Sequence, residues 1–187
     1  LGVAAPERRL AQKTWIAGWK GADAHEVIAV ARALWAEEER ELHYVAADLL
    51  QRHAKALGAR HLPDLRHLIT HHSWWDTVDH LASHPVGAVV RREDAASVMD
   101  RWVEDDDMWV VRTALLHQLR YGADVDLERL FAYVRRHADH TDFFVRKAIG
   151  WALRTAYRAH PDAVVAFVEA TPLSPLSRRE ALKHDEG

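Results

Sequence analysis

The sequence predicts an all-α protein, an α-solenoid of stacked helical pairs of the HEAT or armadillo kind. Three observations carry this. Apolar residues recur at helical spacing from one end to the other, and no stretch alternates convincingly as a strand. Only 8 glycines and 6 prolines occur in 187 residues, too few for the turns of an all-β protein. Finally, Val111-Arg112-Thr113-Ala114-Leu115 and Leu119-Arg120 are echoed by Val145-Arg146-Lys147-Ala148-Ile149 and Leu153-Arg154, a shift of 34 residues (145 against 111). A period of that size with two helices per unit marks stacked helical repeats, in which one helix of each pair lines a concave side. With no linker or shift in composition, residues 1–187 are expected to form a single repeat domain.

The elements follow from local signals. Pro6 in a first turn starts a helix that runs to about Gly18-Trp19. Asp23 caps a second, from Ala24 to about Ala36. The acidic run 37–41 reads as the solvated start of a long helix bearing Leu42, Val45, Ala46, Leu49 and Leu50, which Gly58 ends. Leu62, Leu65, Leu68 and Ile69 mark the next. Ser73, with Asp76 three residues on, has the pattern of a capping box for the Trp74-Trp75-Asp76 segment, which Pro85 and Gly87 interrupt. Helices are then expected over about 94–103, from Met108 to Tyr121, and from Asp126 to about His137. Asp142 caps one over about 143–159, another begins at Pro161, and a last short one lies around Arg178 to Lys183.

Composition excludes several classes of function. The absence of cysteine removes disulfide frameworks and thiolate metal sites and fits a reducing, cytoplasmic setting. No apolar run approaches the roughly 18 residues of a membrane span. The net charge of −3, with 14 histidines neutral, leans mildly away from nucleic acid, although clustering of charge matters more than its sum.

Two stretches stand out as chemistry. His71-His72-Ser73-Trp74-Trp75-Asp76-Thr77-Val78-Asp79-His80 sets indoles beside carboxylates, and on a helix Trp75 and Asp79, four apart, share a face. In Phe143 to Arg154, Trp151 follows Lys147 by four and precedes Arg154 by three, so cations bracket an indole. Trp75, Arg112 and Trp151 are 37 and 39 residues apart, near one repeat each, and could project from successive inner helices. Trp15, Trp19, Trp35 and Trp102 are read as core. The pair His80 and His84 has metal-ligand spacing but no evident third ligand, so no metal is expected; the acidic run 104–107 reads as loop and helix-start carboxylates.

These motifs resemble a known family. Leu1-Gly2-Val3 with Pro6-Glu7-Arg8-Arg9, Glu39-Arg40-Glu41, Ser73 to Asp79, Trp109-Val110-Val111-Arg112, Lys147 to Arg154 and Pro175 to His184 are, in order, similar to strings of the DNA alkylation repair family of AlkD-type alkylpurine DNA glycosylases. The resemblance implies HEAT-like repeats around a concave DNA-binding groove and hydrolysis of the N-glycosidic bond of N3- and N7-alkylated purines in double-stranded DNA, with no metal or cofactor. It maps the family's functional residues onto Asp79, Trp75, Trp151 and Arg112, with Arg146, Lys147 and Arg154 as further phosphate contacts. It also implies a monomer acting in the cytoplasm at the nucleoid, and a further helical segment ahead of the Leu1-Gly2-Val3 string. Two other functions compete: a non-catalytic repeat protein that holds damaged or branched DNA, and a protein-interaction scaffold, which the acidic net charge favours.

Overall fold

The computed structural model describes residues 2–183; Leu1 and His184, at the ends of the two outermost motif strings, lie outside the described residues. Among the described residues there is no strand, and no helix is long and apolar enough to cross a membrane. The chain divides into two units, Leu1–Ala95 and Ala96–Gly187.

In the first unit α1 (Ala5–Gly18), α2 (Ala24–Trp35), α3 (Arg40–Arg52), α4 (Leu62–Thr70), α5 (Trp75–Leu81) and α6 (Gly87–Arg92) form two rows. One row runs α1, α3, α5 and the other α2, α4, with α2 also packed on α3 and α4 on α5. In the second unit α7 (Ala96–Trp102), α8 (Met108–Leu116), α9 (Leu127–Arg136), α10 (Phe143–Tyr157), α11 (Pro161–Ala170) and α12 (Pro175–Ala181) repeat the plan. There α8, α10 and α12 pack in one row. Asp100 of α7 binds Arg129 and Tyr133 of α9, and Phe131 of α9 stacks on Phe167 of α11, joining the other. A helix pair cannot bury its apolar face alone, so each pair closes over the next. The bonds record the same period: Arg40 to Asp76 spans 36 residues, Tyr133 to Asp100 33, and His137 to the Val103 carbonyl 34.

Most helix starts lie where the sequence places them. Asp23 and Glu26 form a reciprocal capping box on α2, and Asp107, Asp126 and Asp142 cap α8, α9 and α10. Three expectations are corrected. The long third helix stops at Arg52 rather than Gly58, and Arg92 takes the carbonyls of Ala54 and Leu57 in the turn that follows. Pro85 and Gly87 do not interrupt the chain's helical path. Proline has no N–H for the carbonyl four residues back, and the helix widens to a π-turn over Ala82–Val86 in which the Gly87 N–H reaches the Ala82 carbonyl, five residues back. Trp15 is not core: it is 40% exposed against a half-buried Trp19, whereas Trp35 and Trp102 are buried as expected.

The core of the second unit includes a histidine that constrains its pH range. His117 is fully buried beneath Tyr121 and Tyr133, and burial drives its pKa from 6.5 down to about 4, against the opposing pull of the Ala114 carbonyl. The unfolded chain therefore binds this proton first. The stability it contributes is whole above about pH 6.5 and is lost as pH falls towards 4, by roughly 3 kcal/mol. His43, His80 and His137, also depressed chiefly by burial, act in the same direction. Urea denaturation at stepped pH should show the midpoint falling across that window, and His117→Gln should flatten the slope.

Candidate functional site

All the residues singled out for chemistry lie on the row α1, α3, α5 of the first unit or α8, α10, α12 of the second. Their positions within those helices correspond. Asp79 is the fifth residue of α5, Arg112 the fifth of α8 and Lys147 the fifth of α10. Aromatic side chains occupy the starts of the same helices: Trp75 is first in α5, Trp109 second in α8, and Phe143 and Phe144 first and second in α10.

In the first unit the turn before α5 is built to hold two indoles in solvent. Trp74 and Trp75 are 46% and 45% exposed, while Asp79, one helical turn beyond Trp75, is only 5% exposed. The turn is strained, since His72 adopts φ 49°, a conformation that favours glycine. Its neighbours pin it. Trp35 Nε1 donates to the His71 carbonyl at 2.7 Å, Arg40 donates to the His72 carbonyl at 3.2 Å, and the His72 ring lies 5.1 Å from that of buried His43. Ser73 does not cap α5. Its hydroxyl turns back to the Ile69 carbonyl at 2.7 Å, and the capping position belongs to Trp74, whose side chain makes no cap.

Asp76 works between helices instead of closing a capping box. Its two oxygens accept from Arg40 at 2.6 Å and from the Tyr44 hydroxyl at 2.5 Å, both on α3, and its Oδ1 also lies 2.7 Å from the Thr77 N–H. Burial, together with the bond to Asp76, raises the Tyr44 pKa. Arg40 and Tyr44, four residues apart, therefore fix where α5 begins and how far it is rotated. Sequence reading missed this clamp, although the (i, i+4) spacing of a cation and a phenol one period before Asp76 is visible in it.

His80 and His84 stack at 4.5 Å with planes 10° apart, and His80 faces Asp48 at 3.8 Å. Among the described residues no three histidine, aspartate or glutamate side chains are placed to share a metal ion.

In the second unit Arg112 is 4% exposed; its guanidinium donates to the Phe144 carbonyl and lies 6.0 Å from the Phe144 ring. Trp109 packs on the same ring at 5.1 Å, and Phe143 meets it edge-on while remaining exposed. On α10 Trp151, bracketed in sequence by Lys147 and Arg154, is half-buried. Those cations are engaged: Lys147 pairs with Glu180 of α12 at 3.1 Å and Arg154 with the same carboxylate at 3.6 Å. Arg146 folds back onto the Asp142 carbonyl at 3.3 Å. The run 104–107 serves structure, with Asp107 capping α8, Asp105 accepting from the Asp107 N–H, and Glu104 paired to Arg136.

A family model described as DNA alkylation repair enzyme matches residues 1–184. Among solved structures, a predicted DNA alkylation repair enzyme from Enterococcus faecalis superposes with a TM-score of 0.89 at 25% identity, over 99% of this chain and 87% of that one. AlkD2 from Streptococcus mutans gives 0.73 at 16% identity, over 100% and 93% of the two chains. The protein smu.31 from Streptococcus mutans gives 0.71 at 17%, over 95% and 91%; these last two share the fold. No curated protein is significantly similar to the chain.

The clamp beneath the indoles can be tested. Asp76→Asn should cost about 1–2 kcal/mol by urea denaturation; the full value of a charged hydrogen bond is discounted because Arg40 and Asp76 are each about a third or a quarter exposed. Tyr44→Phe should give part of that loss, and the double variant little more than Asp76→Asn alone.

Proposed function

The chain belongs to the DNA alkylation repair enzyme family, and from that premise we propose that it is a monofunctional DNA glycosylase. Its reaction is hydrolysis of the N-glycosidic bond of cationic N3- and N7-alkylated purines in double-stranded DNA. The observation that carries this reading is α5, which sets an exposed indole at its first residue and a buried carboxylate at its fifth, on one face.

Alkylation at N3 or N7 makes the purine a cation and hence a good leaving group. Bond cleavage leaves an oxocarbenium-like sugar. The Asp79 carboxylate stabilises that developing charge and orients a water for attack, in surroundings of low dielectric where a fixed charge acts strongly. Electrostatic groups of this kind are worth roughly 3–4 kcal/mol, or about 10²–10³ in rate. Water supplies the nucleophile, so no lysine adduct is formed. Trp75 and Trp151 offer π-faces to the sugar and the cationic base, each contact worth about 0.5–2 kcal/mol. Arg112 serves as a phosphate contact, with Arg146, Lys147 and Arg154 as further ones.

Asp79→Asn should abolish most base release from methylated duplex, followed chromatographically, while circular dichroism and DNA binding stay near wild type. Wild-type rates from that variant would remove Asp79 from the chemistry. Binding without release by the wild-type protein would assign a non-catalytic holder of damaged DNA.

Leaving-group charge supplies a second test. Matched oligonucleotides should lose N7-methylguanine or N3-methyladenine and keep uracil and hypoxanthine. Efficient excision of the neutral bases would show that an acid protonates the leaving group and would overturn the mechanism.

A further inference from the structure

We propose that Glu180 is an internal competitor for DNA phosphate, its carboxylate occupying the place between Lys147 and Arg154 that a strand phosphate takes on binding. The inference rests on the DNA-binding reading above and concerns α10 and α12 alone.

Lys147 and Arg154 are seven residues apart on α10, two turns or about 10 Å of rise, with Trp151 between them. A single acid from α12 reaches both, with Oε1 at 3.1 Å from Lys147 Nζ and Oε2 at 3.6 Å from an Arg154 nitrogen. Its backbone is brought there by a notch. Gly150 faces α12 so closely that a β-carbon on it would lie 2.4 Å from Glu180 Cβ and 2.9 Å from the Ser177 carbonyl oxygen. Ser177, fully buried, fastens the same approach by donating to the Arg146 carbonyl at 3.0 Å. The helix carrying Glu180 is thus fixed against α10, so the exchange proposed here is a turn of the acid's own side chain rather than a movement of the helix.

The electrostatics fit a competitor better than a strut. Burial pushes the Glu180 pKa up, yet Lys147, Arg154 and Lys183 outweigh it and hold the group below its ordinary value. The cations are partly open to solvent, with the side chains of Lys147 and Arg154 37% and 25% exposed against 15% for Glu180, and solvent on the cation side weakens such pairs. What the carboxylate does change is the local charge. It cancels one of the two cations that flank Trp151, in a chain whose net charge is already −3. A phosphate arriving beside the indole meets an anion of similar size and hydrogen-bonding capacity already seated there. Binding then exchanges one anion for another, so fewer counterions are released per contact and the strand is let go more readily.

The experiment is DNA binding against salt for the wild-type protein, Glu180→Gln and Glu180→Asp, using an undamaged duplex and one bearing N7-methylguanine. Glu180→Gln keeps the side chain's volume and should bind both duplexes about tenfold tighter at low salt, with the slope of log affinity against log salt steeper by about one. Glu180→Asp, which keeps the charge but loses the reach to both cations, should fall between. The gain should vanish when Lys147→Gln and Arg154→Gln are added. Melting curves taken in parallel identify a variant that fails to fold, and the aspartate variant then carries the test. Equal or weaker binding by folded Glu180→Gln would show the acid to be a strut that holds the cations in place, and would overturn the competitor. If the wild-type protein and both variants bind neither duplex, the DNA reading fails with it; wild-type binding with no gain in the variants isolates the failure to Glu180.

Discussion

Where a helix begins determines what its first two turns present. Much of the candidate chemistry of this chain lies in such turns: Trp75 and Asp79 at the first and fifth residues of α5, Arg112 at the fifth of α8, Lys147 at the fifth of α10, with Trp151 and Arg154 further along α10. A start displaced by one residue would rotate each of these side chains by about 100°. The structure therefore spends its most specific polar contacts on helix starts. Asp107 and Asp142 fix α8 and α10 through their own backbone N–H groups. The start of α5 has no such cap and is held from the preceding repeat, by Arg40 and Tyr44 on Asp76 and by Trp35 on the His71 carbonyl.

This division explains what could be read from the sequence. Caps that act within four residues are local, so Asp23, Asp107, Asp126 and Asp142 mark their helices where sequence alone would put them. The apolar period does the same for α4, whose Leu62, Leu65, Leu68 and Ile69 are all buried. The misreadings occur where a distant partner outbids a local one. Ser73 and Asp76 carry a capping-box pattern, but Asp76 finds a stronger partner 36 residues earlier in Arg40, and Ser73 bonds backwards to Ile69. The π-turn at Pro85 is a further case, since a proline after a helical run reads as a break until the packing that keeps the chain helical is known. The residues proposed for chemistry are marked in the sequence by their types, their spacing and the family resemblance. Their surroundings were not legible: neither the burial of Asp79 nor Glu180's grip on Lys147 and Arg154 leaves a mark within one repeat.

Charge is handled by the same repeat-to-repeat logic. Arg8 with Asp48, Arg32 with Asp64, Arg40 with Asp76, Tyr133 and Arg129 with Asp100, and Arg136 with Glu104 each join a helix to the one about a period away. Such pairs take up cations and anions alike in particular places, so net charge is a poor guide to what any one face offers. Arg112 is the extreme case. It is buried, and its donors reach the backbone of the neighbouring helix at Phe144, which makes the residue both a tie between α8 and α10 and the base of an aromatic group formed with Trp109.

The contrast between Trp75 and Asp79 of α5 is the feature on which the proposed chemistry rests. Two adjacent indoles nearly half in solvent forgo the burial that such large apolar surfaces would otherwise contribute to folding. They are held there over a strained turn that three neighbouring side chains and the turn's own Ser73 hydroxyl stabilise. One helical turn on, the Asp79 carboxyl group is withdrawn from water. Exposed π-surface attracts a cation, and a sheltered anion stabilises positive charge that grows during a reaction. Both are requirements of the substrate proposed above, a base that arrives charged and leaves a charged sugar behind.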